Sequence, residues 1–275
     1  MTMLPFGWTL AFVFAFGAVV ASFLNVVIAR VPRGESIVSP PSHCPKCGAA
    51  IQWYLNIPVL SWLALRGKCA ACRRPISWRY PLVELLGGLL FAAAWLRFGL
   101  FAPLAWIWIA LMIAGSFIDF DHKLLPDFVT VGGMVYGVGL GLAGTLLRFW
   151  GVDFPATPLI PSLPASLGGL AFGFGLLALI RWLGGKAFKR EAMGMGDVFL
   201  MGAVGALFGP LAVLIVLMLS ALLGSLVGVG LILAAKARLG KFVEIPYGPY
   251  ICLACLVWMF WGPVLWRAYL RLLGL

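Results

Sequence analysis

Charged residues are scarce in this sequence, and acidic residues are scarcer than basic ones. Only 11% of the 275 residues are charged, and Asp and Glu together number 9. Soluble domains carry about a quarter charged residues, whereas 63% of this chain is apolar. An ordinary soluble domain is therefore excluded, and the composition is that of an integral membrane protein.

The shortage of acids leaves a formal net charge of +11, which raises the question of a nucleic-acid partner. Proteins that bind nucleic acids concentrate Lys and Arg on one face or along one helix. In this chain the basic residues instead fall between apolar runs. We therefore predict a lipid bilayer as partner and no nucleic acid.

Long apolar runs dominate the chain. A helix that crosses a bilayer needs about 20 mostly apolar residues. The sixth run is the shortest, because Gly209 and Pro210 interrupt it, and an alternative with seven spans fuses it with the seventh. The first run lacks a small-residue cleavage site after it, so we expect a retained helix. Eight runs satisfy or approach the length criterion, at about 7–28, 81–97, 101–118, 128–147, 165–184, 196–208, 211–235 and 248–272.

The distribution of Lys and Arg gives these spans an orientation. With both termini outside, sixteen of the 20 basic residues fall on the cytoplasmic side, in agreement with the positive-inside rule. Fusing the sixth and seventh runs would move the basic cluster at 236–241 outside. The outside would hold Arg97, Arg148, Arg267 and Arg271.

Four cysteines lie in the one long polar loop, residues 30–80. Two Cys-x-x-Cys pairs with this spacing are typical of a structural zinc site, because four thiolates can surround one Zn²⁺ tetrahedrally. Two disulfides are the alternative, but the predicted cytoplasmic location is reducing. We predict a small cytoplasmic zinc-binding domain that the metal holds together. The four ligands would be Cys44, Cys47, Cys69 and Cys72.

The predicted fold is therefore an all-α polytopic membrane protein of about eight transmembrane helices, with this zinc-binding domain inserted between the first two. Three parts follow: a first transmembrane helix at 1–29, the zinc-binding domain at 30–80 and a membrane-embedded domain at 81–275. Cys252 and Cys255 lie in the last apolar run, so we expect them to be packed membrane cysteines rather than ligands.

Acidic residues gather at two places at the predicted cytoplasmic membrane face. Carboxylates at a membrane boundary are costly to desolvate and therefore indicate function. Two carboxylates that meet can share a proton, so that one activates a water while the other polarises a carbonyl. Gly194 and Gly196 would permit a close approach of the backbone. Helix capping is the alternative for Asp127 and Asp197. The two groups are Asp119, Asp121 and Asp127, and Glu191 and Asp197.

Several motifs in this order resemble the type IV prepilin peptidases, which are GxGD aspartic peptidases. They are ASFLNVVIARVPRGESIVSPPSHCPKCG at 21–48, the second cysteine pair, WRYPLVELLGG at 78–88, IDFDHKLLPD at 118–127 and GMGD at 194–197. The resemblance covers most of the chain and makes 81–275 a membrane-embedded peptidase domain.

The resemblance implies a multi-pass enzyme of the bacterial inner membrane, with its active site facing the cytoplasm. It would cleave the leader from type IV prepilins or secretion-system pseudopilins after a glycine. It would also N-methylate the new N-terminal residue with S-adenosylmethionine. On the family pattern the catalytic pair is Asp119 and Asp197, with Asp121 the main rival and Asp127 secondary.

Three further positions bear on the activities that the resemblance implies. The family commonly carries a lysine two residues after the GxGD aspartate, where this chain has Phe199, so a mechanism that requires that lysine is in question here. Glu35, Glu84 and the basic residues of the 30–80 loop are candidate contributors to methyl transfer. The alternatives are a solvated charge for Glu35 and a helix cap or a buried hydrogen bond for Glu84. No glycine-rich nucleotide fingerprint identifies the cofactor site.

Two functions of other classes compete with the peptidase. A proton-coupled transporter would use the same carboxylates as a relay, and it predicts acids near the bilayer midplane and a half-to-half repeat. A membrane anchor that presents a zinc module would leave the acid pair without a role.

Overall fold

The computed structural model describes residues 6–152, 157–189, 193–234, 246–272 and 274, and within them the chain is almost entirely helical. Short 3-10 helices lie at Val31–Arg33, Trp53–Leu55 and Gly99–Phe101. The α-helices of these residues are α1 (Phe6–Arg30), α2 (Leu60–Ala64), α3 (Arg79–Phe98), α4 (Ala102–His122), α5 (Asp127–Phe149), α6 (Leu163–Phe188), α7 (Met195–Phe208), α8 (Pro210–Ala234) and α9 (Gly248–Leu272).

Each of the eight apolar runs forms its own helix, which confirms the predicted fold class. Six helical stretches of the described chain are long and apolar enough to cross a membrane, and one of them, Arg79–His122, contains both α3 and α4. α7 has 14 residues and is about 21 Å long, shorter than a hydrocarbon core of about 30 Å. The sixth and seventh runs are separate helices, because Gly209 takes a φ of +80° and Pro210 begins α8.

Several residues behind the predicted orientation lie outside the described residues, so the orientation stays a prediction. They are Arg190 and the basic cluster at 236–241; the candidate acid Glu191 also lies outside the described residues. The division of the chain at residues 30 and 80 also stays a prediction. By its internal packing the chain forms two compact units, Met1–Ala114 and Gly115–Leu275.

In the first unit, α1 packs against α3 through small residues. A Cβ on Gly17 would lie 2.6 Å from the Cβ of Phe91, so the two backbones approach as closely as glycine allows. The side-chain amide of Asn25 donates to the carbonyl of Tyr80 at 3.2 Å. Close packing and interhelical hydrogen bonds are the usual sources of helix association in lipid, where the hydrophobic effect contributes little.

In the second unit, α7 is surrounded by protein rather than by lipid. Ten of its 14 residues are buried. The Ser166 hydroxyl of α6 donates to the Ala206 carbonyl at 2.7 Å, and a Cβ on Gly169 would overlap the carbonyl oxygen of Gly205. A Cβ on Gly137 of α5 would meet the backbone of Ala206 at 2.8 Å. This packing fixes α7 and with it Asp197 in its first turn.

Two adjacent glycines of α6 test this packing. Gly169→Ala places a methyl group on the backbone of α7 and should lower the free energy of unfolding by about 1–3 kcal/mol, the usual cost of overpacking. Gly168 has nothing within 4 Å of its added Cβ, so Gly168→Ala should be neutral or stabilising by about 0.5–1 kcal/mol. Thermal unfolding of the purified variants in detergent measures both. Equal stability of the two variants would contradict the close approach of α6 and α7.

Candidate active site and metal centre

The four loop cysteines converge as predicted. The sulfur atoms of Cys44, Cys47, Cys69 and Cys72 all lie within 4.8 Å of one another. Four thiolates around a tetrahedral Zn²⁺ at Zn–S distances of about 2.3 Å require sulfur separations of about 3.8 Å. The four sulfurs can therefore hold one such ion after small side-chain movements.

The two cysteine pairs have the same backbone structure. The Cys44 N–H donates to the Ala49 carbonyl, and the Cys69 N–H donates to the Arg74 carbonyl, both at 2.9 Å. The residue after each second cysteine has a left-handed backbone, with φ of +71° at Gly48 and +58° at Arg73. The N–H of this residue donates to the carbonyl of the first cysteine, at 2.8 Å from Gly48 to Cys44 and at 3.0 Å from Arg73 to Cys69. Two copies of one turn place the four sulfurs together, which explains the convergence.

The thiols of this cluster do not ionise independently. Backbone N–H groups of Cys72 and Ala71 hold the pKa of Cys69 at about 6, below its ordinary value of 9.0. The Ala49 N–H favours the thiolate of Cys47, but partial desolvation and the neighbouring thiols, Cys44 first among them, raise the pKa of Cys47 to about 11. Cys69 thus ionises more readily than an ordinary cysteine and Cys47 less readily, and a nearby divalent cation would favour the thiolate of both.

Asp119 is buried near the carboxyl end of α4, with 6% of its surface exposed. α4 ends three residues later, where Lys123 takes a φ of +52° and its N–H donates to the Asp119 carbonyl at 2.8 Å. The Asp119 side chain has a different partner, because its Oδ2 accepts a hydrogen bond of 3.0 Å from the backbone N–H of Gly248. Gly248 begins α9, so an orphan N–H of a helix terminus binds the carboxylate.

Asp197 is buried in the first turn of α7, with 7% of its surface exposed. Gly194 is the N-cap of this helix and offers no side chain. The backbone N–H of Gly194 instead interacts with the Asp197 carboxylate, which lies at the third helical position and reaches back to the N-cap. Asp197 therefore caps the N-terminus of α7. This contact uses one carboxylate oxygen and leaves the other for a second partner.

Leu125 connects the surroundings of the two aspartates. A Cβ on Gly196 would lie 2.9 Å from the Leu125 Cβ, and a Cβ on Gly248 would lie 3.2 Å from Leu125 Cδ1 and 2.7 Å from Asp119 Oδ2. The Asp119 and Asp197 carboxylates also interact electrostatically with each other. The structure thus brings these two acids to one site, with glycine at each point of close approach.

The remaining sequence-predicted acids do not share this burial. Asp121 is exposed, and Asp127 is exposed in the first turn of α5. Glu35 is exposed in the loop after α1, whereas Glu84 of α3 accepts a hydrogen bond of 2.7 Å from the Val59 N–H. Within the described residues, Asp119 and Asp197 are the two buried acids.

Three residues of the site were missed by sequence reasoning. Gly248 binds Asp119 through its backbone, and Tyr247 shares a 2.7 Å hydrogen bond with the buried Ser220 of α8. Arg181 of α6 donates to the Met193 carbonyl at 3.0 Å and so fixes the chain that leads into α7. A Gly-Pro pair at the start of a run, as at Gly248, is the one signal that could have marked a helix N-terminus here.

A cavity of about 330 Å³ adjoins this region. Tyr247 lines it and also interacts electrostatically with Asp197, so one residue links the cavity to the surroundings of the acid pair. Its small residues on α8 make room for an apolar group. The lining consists of Ala221, Gly224, Ser225, Tyr247 and Tyr250.

Helix packing accounts for Phe199 and for the two cysteines of α9. Phe199 points towards α6, where its ring meets Phe174 edge-on at 5.4 Å between centroids, so this position serves helix packing in this chain. Cys252 and Cys255 are both buried in α9, as expected for packed membrane cysteines.

Comparison with known proteins matches nearly the whole chain. The model for the bacterial peptidase A24 N-terminal domain matches residues 15–98, and that for the type IV leader peptidase family matches residues 106–229. A prepilin leader peptidase/N-methyltransferase of Myxococcus xanthus is 45% identical over 236 residues, which cover 85% of this chain and 66% of that protein. No solved structure matches the chain.

Two further relatives are matched over most of their length. A prepilin leader peptidase/N-methyltransferase of Xanthomonas campestris is 37% identical over 286 residues, covering 94% of this chain and 93% of the relative. A type 4 prepilin-like proteins leader peptide-processing enzyme of Escherichia coli is 37% identical over 258 residues, covering 86% and 88%. With relatives of this similarity matched almost from end to end, the chain belongs to the type IV leader peptidase family.

Proposed function

We propose that this chain is an aspartic endopeptidase that removes the leader from type IV prepilins or pseudopilins, cutting after a glycine. The names of its relatives support prepilin processing. The single observation that carries the aspartic mechanism is the pair of buried carboxylates, Asp119 and Asp197, at one site near the ends of α4 and α7.

In this mechanism the two acids hold one water between them. The ionised carboxylate takes a proton from the water as its oxygen attacks the carbonyl carbon of the scissile bond, and the protonated one donates to the carbonyl oxygen. The tetrahedral intermediate then breaks its C–N bond, the amine leaves with the proton that the base had taken, and a hydroxyl of the intermediate returns a proton to the other carboxylate as the new carboxyl group forms. The two roles belong to the pair as a unit.

Gly248 acts as a positioning residue in this mechanism. Its N–H occupies Oδ2 of Asp119, which leaves Oδ1 to face the water. Because φ is not positive at Gly248, the backbone itself would accept other residues there. The need for glycine comes from the carboxylate, which an added Cβ would approach to 2.7 Å.

The proton-relay transporter receives less support. A relay needs acids near the bilayer midplane. Asp119 lies three residues from the end of α4, and Asp197 lies in the first turn of the short α7. Acids at helix ends suit a substrate whose cut site lies where the bilayer meets the aqueous phase.

We propose further that the loop cysteines bind a structural Zn²⁺. Four thiolates would complete a tetrahedral shell and leave no position for a substrate or an activated water. The loop has no helix longer than α2 and few buried apolar residues, so the ion would supply much of its folding free energy.

We infer that the chain also N-methylates its product, since its relatives carry N-methyltransferase in their names. S-adenosylmethionine would supply the methyl group. The described part of the chain contains no β-strand and hence no Rossmann-type cofactor site, so we assign the cofactor to no residues. The expected location is the bacterial inner membrane, with the acid pair facing the cytoplasm, because Lys and Arg concentrate on that side.

Conservative substitutions test the acid pair. Asp119→Asn and Asp197→Asn keep the shape of each side chain but remove its acid–base function, so prepilin cleavage should fall by about 10²–10⁴-fold or more in either variant. Asp121→Asn is the matched control, because this nearby aspartate is exposed. Leader removal from a purified prepilin, followed by mass spectrometry, measures the rates. Full cleavage by both single variants would eliminate the mechanism.

Gly248→Ala tests the positioning of Asp119. The added methyl group displaces the carboxylate, and displacement by about 1 Å should lower kcat by about 10²-fold with little change in KM. Gly230→Ala is the control, since its added Cβ meets nothing within 4 Å. A variant that keeps its kcat, or that loses only substrate affinity, would show that the Gly248 contact does not position the acid.

Removing one thiol tests the metal site. Cys69→Ser should lose the zinc that co-purifies with the wild-type chain, because three thiolates bind the ion far more weakly than four. Cys252→Ala, which changes a buried cysteine of α9, should retain it. Elemental analysis of protein purified without added zinc gives both values. Equal zinc contents in the two variants would rule out the four-thiolate site.

A further inference from the structure

Large apolar side chains are exposed in the segment of residues 53–63, which lies outside the eight apolar helices. Trp53 is 81% exposed, Leu60 is 64% exposed and Leu63 is 57% exposed. Tyr54 and Ile57 are exposed as well. Single exposed apolar residues are ordinary, but a group within eleven residues marks an interaction surface.

The 53–63 segment is internally ordered. The Ser61 hydroxyl accepts from the Ile57 N–H at 3.0 Å and donates to the Tyr54 carbonyl at 3.3 Å, which joins the 3-10 helix Trp53–Leu55 to α2. On α2 the Trp62 indole donates inward to the Ile76 carbonyl at 3.3 Å. Leu60 and Leu63 are three residues apart and therefore share the opposite, exposed side.

A hydrogen bond fixes this segment beside a membrane-spanning helix. The Val59 N–H donates to Oε2 of Glu84 at 2.7 Å. Glu84 is five residues into α3, about 7.5 Å along its axis from Arg79. Val59 takes a φ of +62°, an unfavourable backbone for a β-branched residue, and the Leu60 N–H closes a tight turn onto the Pro58 carbonyl. The strained turn aims the N–H at Glu84.

The start of α3 has the character of a membrane interface. Trp78 and Tyr80 are exposed there, and exposed Trp and Tyr at the end of an apolar helix are typical of the headgroup level. Because the Val59 N–H binds Glu84 in the second turn of α3, the turn at Val59 lies at or below that level.

The charge around the segment complements an anionic lipid surface. Arg66 and Lys68 follow the segment and are exposed. Between residues 31 and 78 the sole acid is Glu35, against six basic residues. A polybasic stretch next to a transmembrane helix is attracted to anionic headgroups.

We propose that the 53–63 segment docks on the bilayer that holds the protein's own helices. Trp53, Leu60 and Leu63 insert between headgroups and acyl chains, and Arg66 and Lys68 contact the phosphates of anionic lipids. Glu84 serves this docking by holding the turn at Val59 against α3. The inference is independent of the proposed peptidase mechanism, since none of these residues belongs to the acid pair.

Site-specific photocrosslinking of the full chain in nanodiscs containing phosphatidylglycerol tests this docking. p-Benzoylphenylalanine at position 53, 60 or 63 should give lipid adducts on irradiation, detected by mass spectrometry. The same residue at position 71, an exposed position between two of the clustered cysteines, should give none above background. Lipid adducts at position 71 equal to those at the other three, no lipid adducts at all, or adducts only with protein would each overturn the proposal.

Fluorescence quenching provides a second readout that does not need an inserted photolabel. Lipids brominated near the carboxyl end of their acyl chains should quench Trp53, so wild-type protein should lose more emission than Trp53→Phe. Trp53 is exposed, and its replacement by Phe removes no buried contact. Identical quenching of the two proteins would contradict insertion of this side chain.

Discussion

Two carboxylates are buried inside one helical unit, and each must find a partner there. An unpaired buried charge is far too costly to retain, so its hydrogen bonds must come from the protein. Here they come from the backbone, from Gly248 for Asp119 and from Gly194 for Asp197. Both donors lie at helix N-termini, where N–H groups lack partners and the helix dipole favours negative charge.

The packing of α7 follows from the same constraint. A span of full length would carry its first turn to the opposite face of the bilayer from its last, whereas α7 is short and enclosed by protein. Small residues on α5 and α6 allow its backbone to approach closely, as at Gly169 and Gly205. The result is a rigid support for Asp197 that can place it against Asp119 and leave room for water.

Sequence reasoning succeeded where a pattern has a direct physical consequence. Apolar runs must form helices in lipid, so all eight were placed within a few residues, and the cysteine spacing located the sulfur cluster. The motifs around Asp119 and Asp197 singled out the two acids that are buried in the structure. The contact of Gly248 with Asp119 could not be predicted, because a backbone N–H has no residue-specific signal. The bond between Val59 and Glu84 was equally hidden, since it joins a strained turn to a helix 25 residues later.

Binding of a transition-state analogue tests the central claim most directly. A prepilin peptide whose scissile carbonyl is replaced by a hydroxyl-bearing tetrahedral carbon should bind the wild-type chain much more tightly than the parent peptide does. Either Asp119→Asn or Asp197→Asn should remove that advantage, and the double variant should bind no worse than the single ones, because the pair acts as a unit. Equal binding of the analogue by wild-type and variant chains would contradict the account.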